Sequence, residues 1–185
     1  MKDFIVIPTY NEKDNIVSLV GDIFSLLPQI YILVVDDNSP DGTAGLVTGM
    51  LPKYPRLNLL RRPGKNGLGA AYIEAFKKLL ADNEIVNIVM MDGDFSHNPK
   101  HLRQLLNGIR DYGLVMGSRY IKGGGIAQWE LWRRILSAGG NTYVRMVLGK
   151  KIHDWTGGFN CIKASCLRKV DLEKIDLSGY AFIMG

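Results

Sequence analysis

The stretch Ile88-Val89-Met90-Met91-Asp92-Gly93-Asp94-Phe95-Ser96-His97 begins as an uncharged apolar run and stops at two carboxylates separated by a single glycine. An apolar run of this length, bounded by turn-forming residues, reads as a strand buried on both faces, with Asp92 and Asp94 at its carboxyl end. In an open α/β sheet that end is where ligands bind. Two carboxylates around a glycine, which lets the backbone turn tightly, suit one hard divalent cation: Mg2+ or Mn2+ takes one or two carboxylates together with phosphate oxygens of a substrate. An isolated Asp-x-Asp is a weak signal, and taken alone it reads more simply as a solvated loop or a helix N-cap ahead of Asn98-Pro99.

The flanking segments repeat the pattern. Phe4-Ile5-Val6-Ile7 ends in Pro8-Thr9-Tyr10-Asn11, and from Glu12 to Leu27 the residues Ile16, Leu19, Val20, Ile23, Phe24 and Leu27 fall at helical spacing. Tyr31 to Val35 is a second strand ending in Asp36-Asp37-Asn38-Ser39-Pro40-Asp41-Gly42-Thr43, before a helix over residues 44–51. Leu57 to Leu60 is a third strand, followed by a glycine-rich loop and a helix running to Ala81 with Ile73, Phe76 and Leu80 on one face. Glu84 to Met91 is the fourth strand, Pro99 to Arg110 a helix, and Leu114 to Gly117 a fifth strand leading into Ser118-Arg119-Tyr120. Strands alternating with helices predict an α/β fold: a Rossmann-like, mostly parallel sheet with helices on both faces, in one domain spanning residues 1–185.

In such a sheet Glu12, the pair Asp36 and Asp37, and the pair Asp92 and Asp94 all follow carboxyl ends of strands and come to one edge. Gathered carboxylates repel one another unless a cation or hydrogen-bond donors intervene. A chance loop explains one such motif more easily than three. The loop Pro63-Gly64-Lys65-Asn66-Gly67-Leu68-Gly69 partly matches a dinucleotide fingerprint, but it follows the third strand and lacks the last glycine. It reads as a turn and helix start, or as a site where backbone amides, a helix N-terminus and Lys65 face a donor phosphate.

The chain has 185 residues and a net charge of +5, with a pI near 9.2, which favours an anionic partner without choosing among phosphate-rich substrates, acidic lipids and nucleic acid. Lys and Arg are scattered and no aromatic RNA-binding signature is present, which argues against nucleic acid. Cys161 and Cys166 are too few for a disulfide scaffold or a zinc site and read as buried thiols in a reducing compartment. Met1-Lys2-Asp3 runs directly into a strand, and no window approaches the roughly 18 apolar residues of a membrane span. The expectation is a cytoplasmic chain, peripheral on the cytoplasmic face of a membrane at most.

After Arg119 the pattern changes. A glycine-rich loop, Lys122-Gly123-Gly124-Gly125, precedes a long amphipathic pattern from Trp129 to Leu148, with Trp129, Trp132 and Tyr143 beside Arg133, Arg134 and Arg145. Aromatic and basic residues together suit a membrane interface, and packing on the sheet or on a second copy of the chain, as in a homodimer, suits them equally. Asp154-Trp155-Thr156-Gly157-Gly158-Phe159-Asn160 is a polar turn ahead of another strand-like run, where an aspartate can cap the turn.

Taken together, Pro8-Thr9-Tyr10-Asn11-Glu12, Val34-Val35-Asp36-Asp37-Asn38-Ser39-Pro40-Asp41-Gly42-Thr43, Met91-Asp92-Gly93-Asp94-Phe95-Ser96-His97, Gly117-Ser118-Arg119-Tyr120 and Asp154-Trp155-Thr156-Gly157-Gly158-Phe159 resemble, in order, the motifs of inverting family 2 glycosyltransferases of GT-A fold, and within them the dolichyl- or polyprenyl-phosphate mannosyltransferases. Trp129 with Arg133, Ser137, Gly139-Gly140 and Asn141 is similar to the subfamily using GDP-mannose. The resemblance implies that Pro8, Tyr10, Glu12, Asp36 and Asp37 line the nucleoside pocket, that Asp92 and Asp94 hold Mg2+ or Mn2+ against the donor diphosphate beside Gly93, and that Arg119 and the Arg133-Arg134 pair meet the acceptor phosphate. Asp94, Arg119 and Arg133 then carry the catalytic work, and His97 and His153 are structural. Family chains usually continue beyond the segment resembling Gly179-Tyr180-Ala181-Phe182-Ile183-Met184-Gly185, so the chain is expected to be cut short at its C-terminal end. Within the family, donors of glucose, N-acetylglucosamine or another sugar stay open, and two rivals from outside it stand beside this reading. A haloacid-dehalogenase-like phosphatase also places Asp-x-Asp after a strand, but normally the first strand. A nucleotide-sugar-binding module would hold the donor without moving the sugar.

Overall fold

A computed structural model describes residues 1–118, 154 and 157–175. Its frame is a six-stranded sheet in the order β3-β2-β1-β4-β6-β5, formed by β1 (Lys2–Thr9), β2 (Tyr31–Asp36), β3 (Leu57–Arg61), β4 (Ile85–Met90), β5 (Leu114–Met116) and β6 (Asn160–Lys163). The first four strands are parallel, with β1 between β2 and β4. Between them run α1 (Ile16–Leu26), α2 (Thr43–Met50) and α3 (Leu68–Leu80), and after β4 comes α4 (Leu102–Gly108). A short α5 (Ala164–Leu167) follows β6.

The central strands read as continuous apolar runs because both faces are covered, and alternate residues divide between two cores. Ile5 and Ile7, Ile32 and Val34, Val89 and Met91 pack with Ile16, Leu19, Val20 and Ile23 of α1, Val47 of α2 and Leu102 and Leu105 of α4. Phe4 and Val6, Leu33 and Val35, Ile88 and Met90 pack with α3 through Ala71, Tyr72, Ile73, Ala75, Phe76 and Leu79. Most of these side chains are almost fully withdrawn from water. At about 1.5–3 kcal/mol for each large aliphatic residue, this burial dominates the stability of the sheet. On α3 the buried face includes Leu79, with Leu80 only partly covered.

Local chemistry shifts two helix starts from their expected places. The carbonyl of Glu12 accepts from the amides of Asn15 and Ile16, so residues 12–15 form a turn and α1 begins at Ile16. Asn98 accepts through Oδ1 from the Lys100 amide, and the stretch expected as one helix opens as a 3-10 turn over Pro99–His101 before α4.

The larger departure lies at the far edge of the sheet. β6 is antiparallel to β4 and separates it from β5, pairing Met90 with Asn160 on one side and Met116 with Asn160 on the other. Reversal brings the amino end of β6, with Gly157-Gly158-Phe159 leading into it, to the edge where β1, β2, β4 and β5 end. The junction is close. The Gly117 amide donates to the Phe159 carbonyl at 2.7 Å, and a Cβ added to Gly117 would lie 2.9 Å from Phe159 Cδ1 and 3.0 Å from its carbonyl oxygen. Gly117→Ala is therefore expected to destabilise the domain by about 1–3 kcal/mol in urea denaturation. Gly45→Ala in α2, where an added Cβ meets nothing within 4 Å, is expected to stabilise it by about 0.4–1 kcal/mol in the same assay.

Candidate active site

Parallel register sets the first part of the site. Thr9 is level with Asp36 across β1 and β2, so both chains leave the sheet side by side. Thr9 Oγ1 donates to Asp36 Oδ2 at 3.0 Å, Ser39 Oγ donates to the same oxygen at 2.6 Å, and the Ser39 amide donates to Oδ1 at 3.0 Å. Asp36 is 1% exposed. Its carboxylate braces the two loops from inside the fold. The loops are further tied by the Asn11 amide donating to Ser39 Oγ and the Glu12 amide to Thr43 Oγ1. Thr43 in turn donates to Asp41, whose carboxyl burial would raise in pKa but the bonds from Thr43 and Lys13 hold below its ordinary value.

Asp37, the next residue, is buried and has a different partner. Arg62 Nη1 donates to Asp37 Oδ1 at 2.6 Å, and Arg62 Nε donates to Glu74 Oε2 on α3 at 2.9 Å. The Arg62 amide also donates to the Asp36 carbonyl at 2.8 Å. Burial alone would lower the pKa of this guanidinium, but its bonds to Asp37 and then Glu74 outweigh burial and hold it above the ordinary value. In the sequence Arg62 is one half of the basic pair Arg61-Arg62, and its place directly after a strand end is the signal that marks it. Above this pair Lys65 Nζ sits 3.9 Å from the centre of the Tyr10 ring, joining the loops after β3 and β1. Pro8 is half-buried at the end of β1, in register with Val35.

The Asp92–His97 loop closes on itself. The Asp92 amide donates to His97 Nδ1 at 3.0 Å and the Ser96 amide to Asp94 Oδ1 at 2.9 Å. The left-handed turn belongs to Phe95, at φ 61°, and not to Gly93 as the sequence suggests. Gly93 instead permits close approach: a Cβ there would stand 3.4 Å from both Thr9 Cγ2 and Glu12 Cγ. Asn11 and Asn38 are the other non-glycine residues with positive φ among those described, at 63° and 59°. All three such residues therefore lie in loops at the ends of β1, β2 and β4, the clustering expected where a site holds its backbone in uncommon conformations.

Asp92 and Asp94 suit a hard cation. Asp94 is exposed, and the Asp92 side chain is 35% exposed. Burial raises the pKa of Asp92; the neighbouring His97 opposes that shift and the charge of Asp94 adds to it. A divalent ion would relieve that repulsion. Among the described residues no group of three His, Cys, Asp or Glu side chains is arranged to hold a metal, and two carboxylates plus substrate phosphate oxygens is an ordinary Mg2+ set. On the other flank, a Cβ at Gly158 would stand 3.7 Å from Asp92 Oδ2, and Asp154 is buried beside Gly157. Arg119, Arg133, Arg134, His153 and the Trp129 to Leu148 segment lie outside the described residues.

A parallel sheet with one antiparallel strand thus carries carboxylates and close-packed glycines at its carboxyl edge, the edge where open α/β sheets bind ligands. Residues 4–175 match the model of Glycosyl transferase family 2, and the chain belongs to that family. It is 42% identical to a polyprenol monophosphomannose synthase of Mycolicibacterium smegmatis over 98% of this chain and 69% of that protein. It is 38% identical to an undecaprenyl-phosphate mannosyltransferase of Micrococcus luteus over 98% of this chain and 74% of that one. Among solved structures, the mannosyltransferase PcManGT from Pyrobaculum calidifontis, in complex with GDP-Man and Mn2+, superposes with a TM-score of 0.62 at 20% identity, covering 92% of this chain and 46% of that one. The chain thus spans about half the length of that structure and the greater part of the two relatives.

Arg62→Met strands the buried Asp37 carboxylate and should cost about 3–5 kcal/mol in urea denaturation. Glu74→Gln, at a side chain 47% exposed, should cost less than about 1 kcal/mol.

Proposed function

We propose that this domain transfers a mannosyl group from GDP-mannose to a polyprenyl or dolichyl phosphate, with inversion at the anomeric carbon. The observation that carries the reading is the convergence of the Asp92-Gly93-Asp94 loop, the Asp37–Arg62 pair and the Gly117-Ser118 strand end on one sheet edge. Its choice of sugar and acceptor is supported by the activities for which the two relatives are named.

In this reading Tyr10, Lys65, Glu12 and Asp37 receive the nucleotide. The Asp37 carboxylate accepts from base or ribose donors, and Arg62 keeps it charged and oriented. Asp92 and Asp94 would hold Mg2+ or Mn2+, which when bound would supply electrostatic stabilisation of the diphosphate leaving group. Lys65, once drawn from the Tyr10 ring, is within the same loop system to meet a phosphate. The acceptor simplifies the rest. A lipid monophosphate has a second pKa of about 6 and is largely dianionic at pH 7, so it attacks without a general base. What remains is electrostatic positioning, a task that suits Arg119 and Arg133. This agrees with a site built from carboxylates and cations.

Such an acceptor stays in a bilayer, so we place the work at a membrane surface, on its cytoplasmic face. No helix among the described residues is long and apolar enough to cross a membrane. Surface attachment and self-association were both expected of the segment from Trp129 to Leu148, which lies outside them.

Titration calorimetry with GDP and UDP, with and without Mn2+, should show metal-dependent binding that favours GDP. Asp94→Ala should remove the metal dependence and leave the melting temperature close to that of the parent. Transfer of labelled mannose to a polyprenyl phosphate distinguishes a transferase from a domain that only holds the donor. Metal dependence retained in Asp94→Ala would move the metal site elsewhere.

A further inference from the structure

His97 does more than close a turn. Its Nδ1 accepts the Asp92 amide at 3.0 Å, so the neutral ring carries its proton on Nε2, which lies 3.6 Å from Asp92 Oδ2. The same imidazole stacks on Phe159 with ring centres 4.9 Å apart and planes 15° from parallel. Gly158 keeps the space beside it open: a Cβ there would stand 3.5 Å from His97 Cε1 and 3.7 Å from Asp92 Oδ2. Phe159 also accepts the Gly117 amide through its carbonyl at 2.7 Å. The imidazole therefore touches the backbone and faces the carboxylate of Asp92 on one side, and on the other rests on the residue that anchors the end of β5, one step before Ser118 and Arg119.

We infer that His97 is a positioning residue for the metal-binding carboxylate: by accepting the Asp92 amide it fixes the loop backbone from which that carboxylate projects, while its stack on Phe159 only seats the ring. The inference rests on the proposal that Asp92 and Asp94 hold the divalent ion. Partners that orient a metal ligand without touching the metal typically change metal affinity by about 10–100-fold when removed. A side chain that only filled space would affect folding and all ligand binding together. A positioning residue affects the metal-dependent part alone.

Two substitutions divide the imidazole's properties. His97→Phe keeps a ring to stack on Phe159 and removes the acceptor for the Asp92 amide. His97→Asn supplies a side-chain oxygen able to accept that amide and removes the ring. Calorimetry of GDP binding would be run on both variants and the parent, in Mn2+ and in EDTA, with thermal denaturation alongside. The expected result is GDP binding in Mn2+ weakened by about 10–100-fold in His97→Phe, with binding in EDTA unchanged, and a loss well below about 10-fold in His97→Asn. Three results would overturn the inference: His97→Phe binding as the parent does in Mn2+, His97→Phe losing as much in EDTA as in Mn2+, or His97→Asn losing about 10-fold or more. The last comparison stands by itself if His97→Phe does not fold. A parent that shows no metal dependence would overturn the proposed function itself, an outcome distinct from all three.

Discussion

Parallel register holds the carboxyl ends of β1, β2 and β4 level, and the chemistry of the chain depends on that constraint. Register places Thr9 opposite Asp36 and sends four carboxylates, Asp36, Asp37, Asp92 and Asp94, to one edge of a low-dielectric sheet. Each must be compensated there, and each is compensated differently. Asp36 is consumed by hydroxyl and amide donors from Thr9 and Ser39. Asp37 is neutralised by Arg62. Asp92 faces His97 at one side and the charge of Asp94 at the other, and Asp94 stays exposed. Of the four, only Asp94 is exposed, and in the proposed function the Asp92–Asp94 pair would take an outside cation while Asp37, held by Arg62, faces the nucleotide.

The antiparallel strand gives the site its second wall. A purely parallel continuation would have carried the residues before β6 to the opposite edge, away from the carboxylates. Reversed between β4 and β5, β6 delivers Gly157, Gly158 and Phe159 to the Asp92–His97 loop and the end of β5 together. Glycines at 117 and 158 then serve as spacers through which two loops approach within contact distance. The backbone conformations that cost most, at Asn11, Asn38 and Phe95, fall in the same ring of loops, where the Asn11 amide donates to Ser39 Oγ of the next loop and the Asp92 amide closes its own loop on His97. Stability is supplied elsewhere, by the two aliphatic layers above and below the sheet, which leaves the edge free to carry charge and strain.

Much of this was legible in the residues. Hydrophobic periodicity and turn chemistry are local, so the order of strands and helices, the parallel core and the acidic strand ends could be read directly from Phe4 to Gly117. Boundaries moved where short-range hydrogen bonding competed with helix, as at Glu12 and at Asn98-Pro99. The order of motifs placed the chain among family 2 glycosyltransferases before any contact was known. That Asp36 braces two loops could not be read in the same way, because an aspartate bonded inward and one facing outward are written with the same letter.

By itself, then, the sequence determined the fold class, the family and the edge at which the acidic strand ends gather, since each depends on patterns repeated along contiguous residues. Tertiary structure alone decided that Arg62 is the partner of Asp37, that Phe95 rather than Gly93 makes the left-handed turn, that β6 runs backwards between β4 and β5, and that His97 joins Asp92 to Phe159. The physical reason is common to all four. They depend on which distant segments approach within bonding distance and on which buried charge is left uncompensated, and those properties arise only once the register of the sheet has brought the strand ends together.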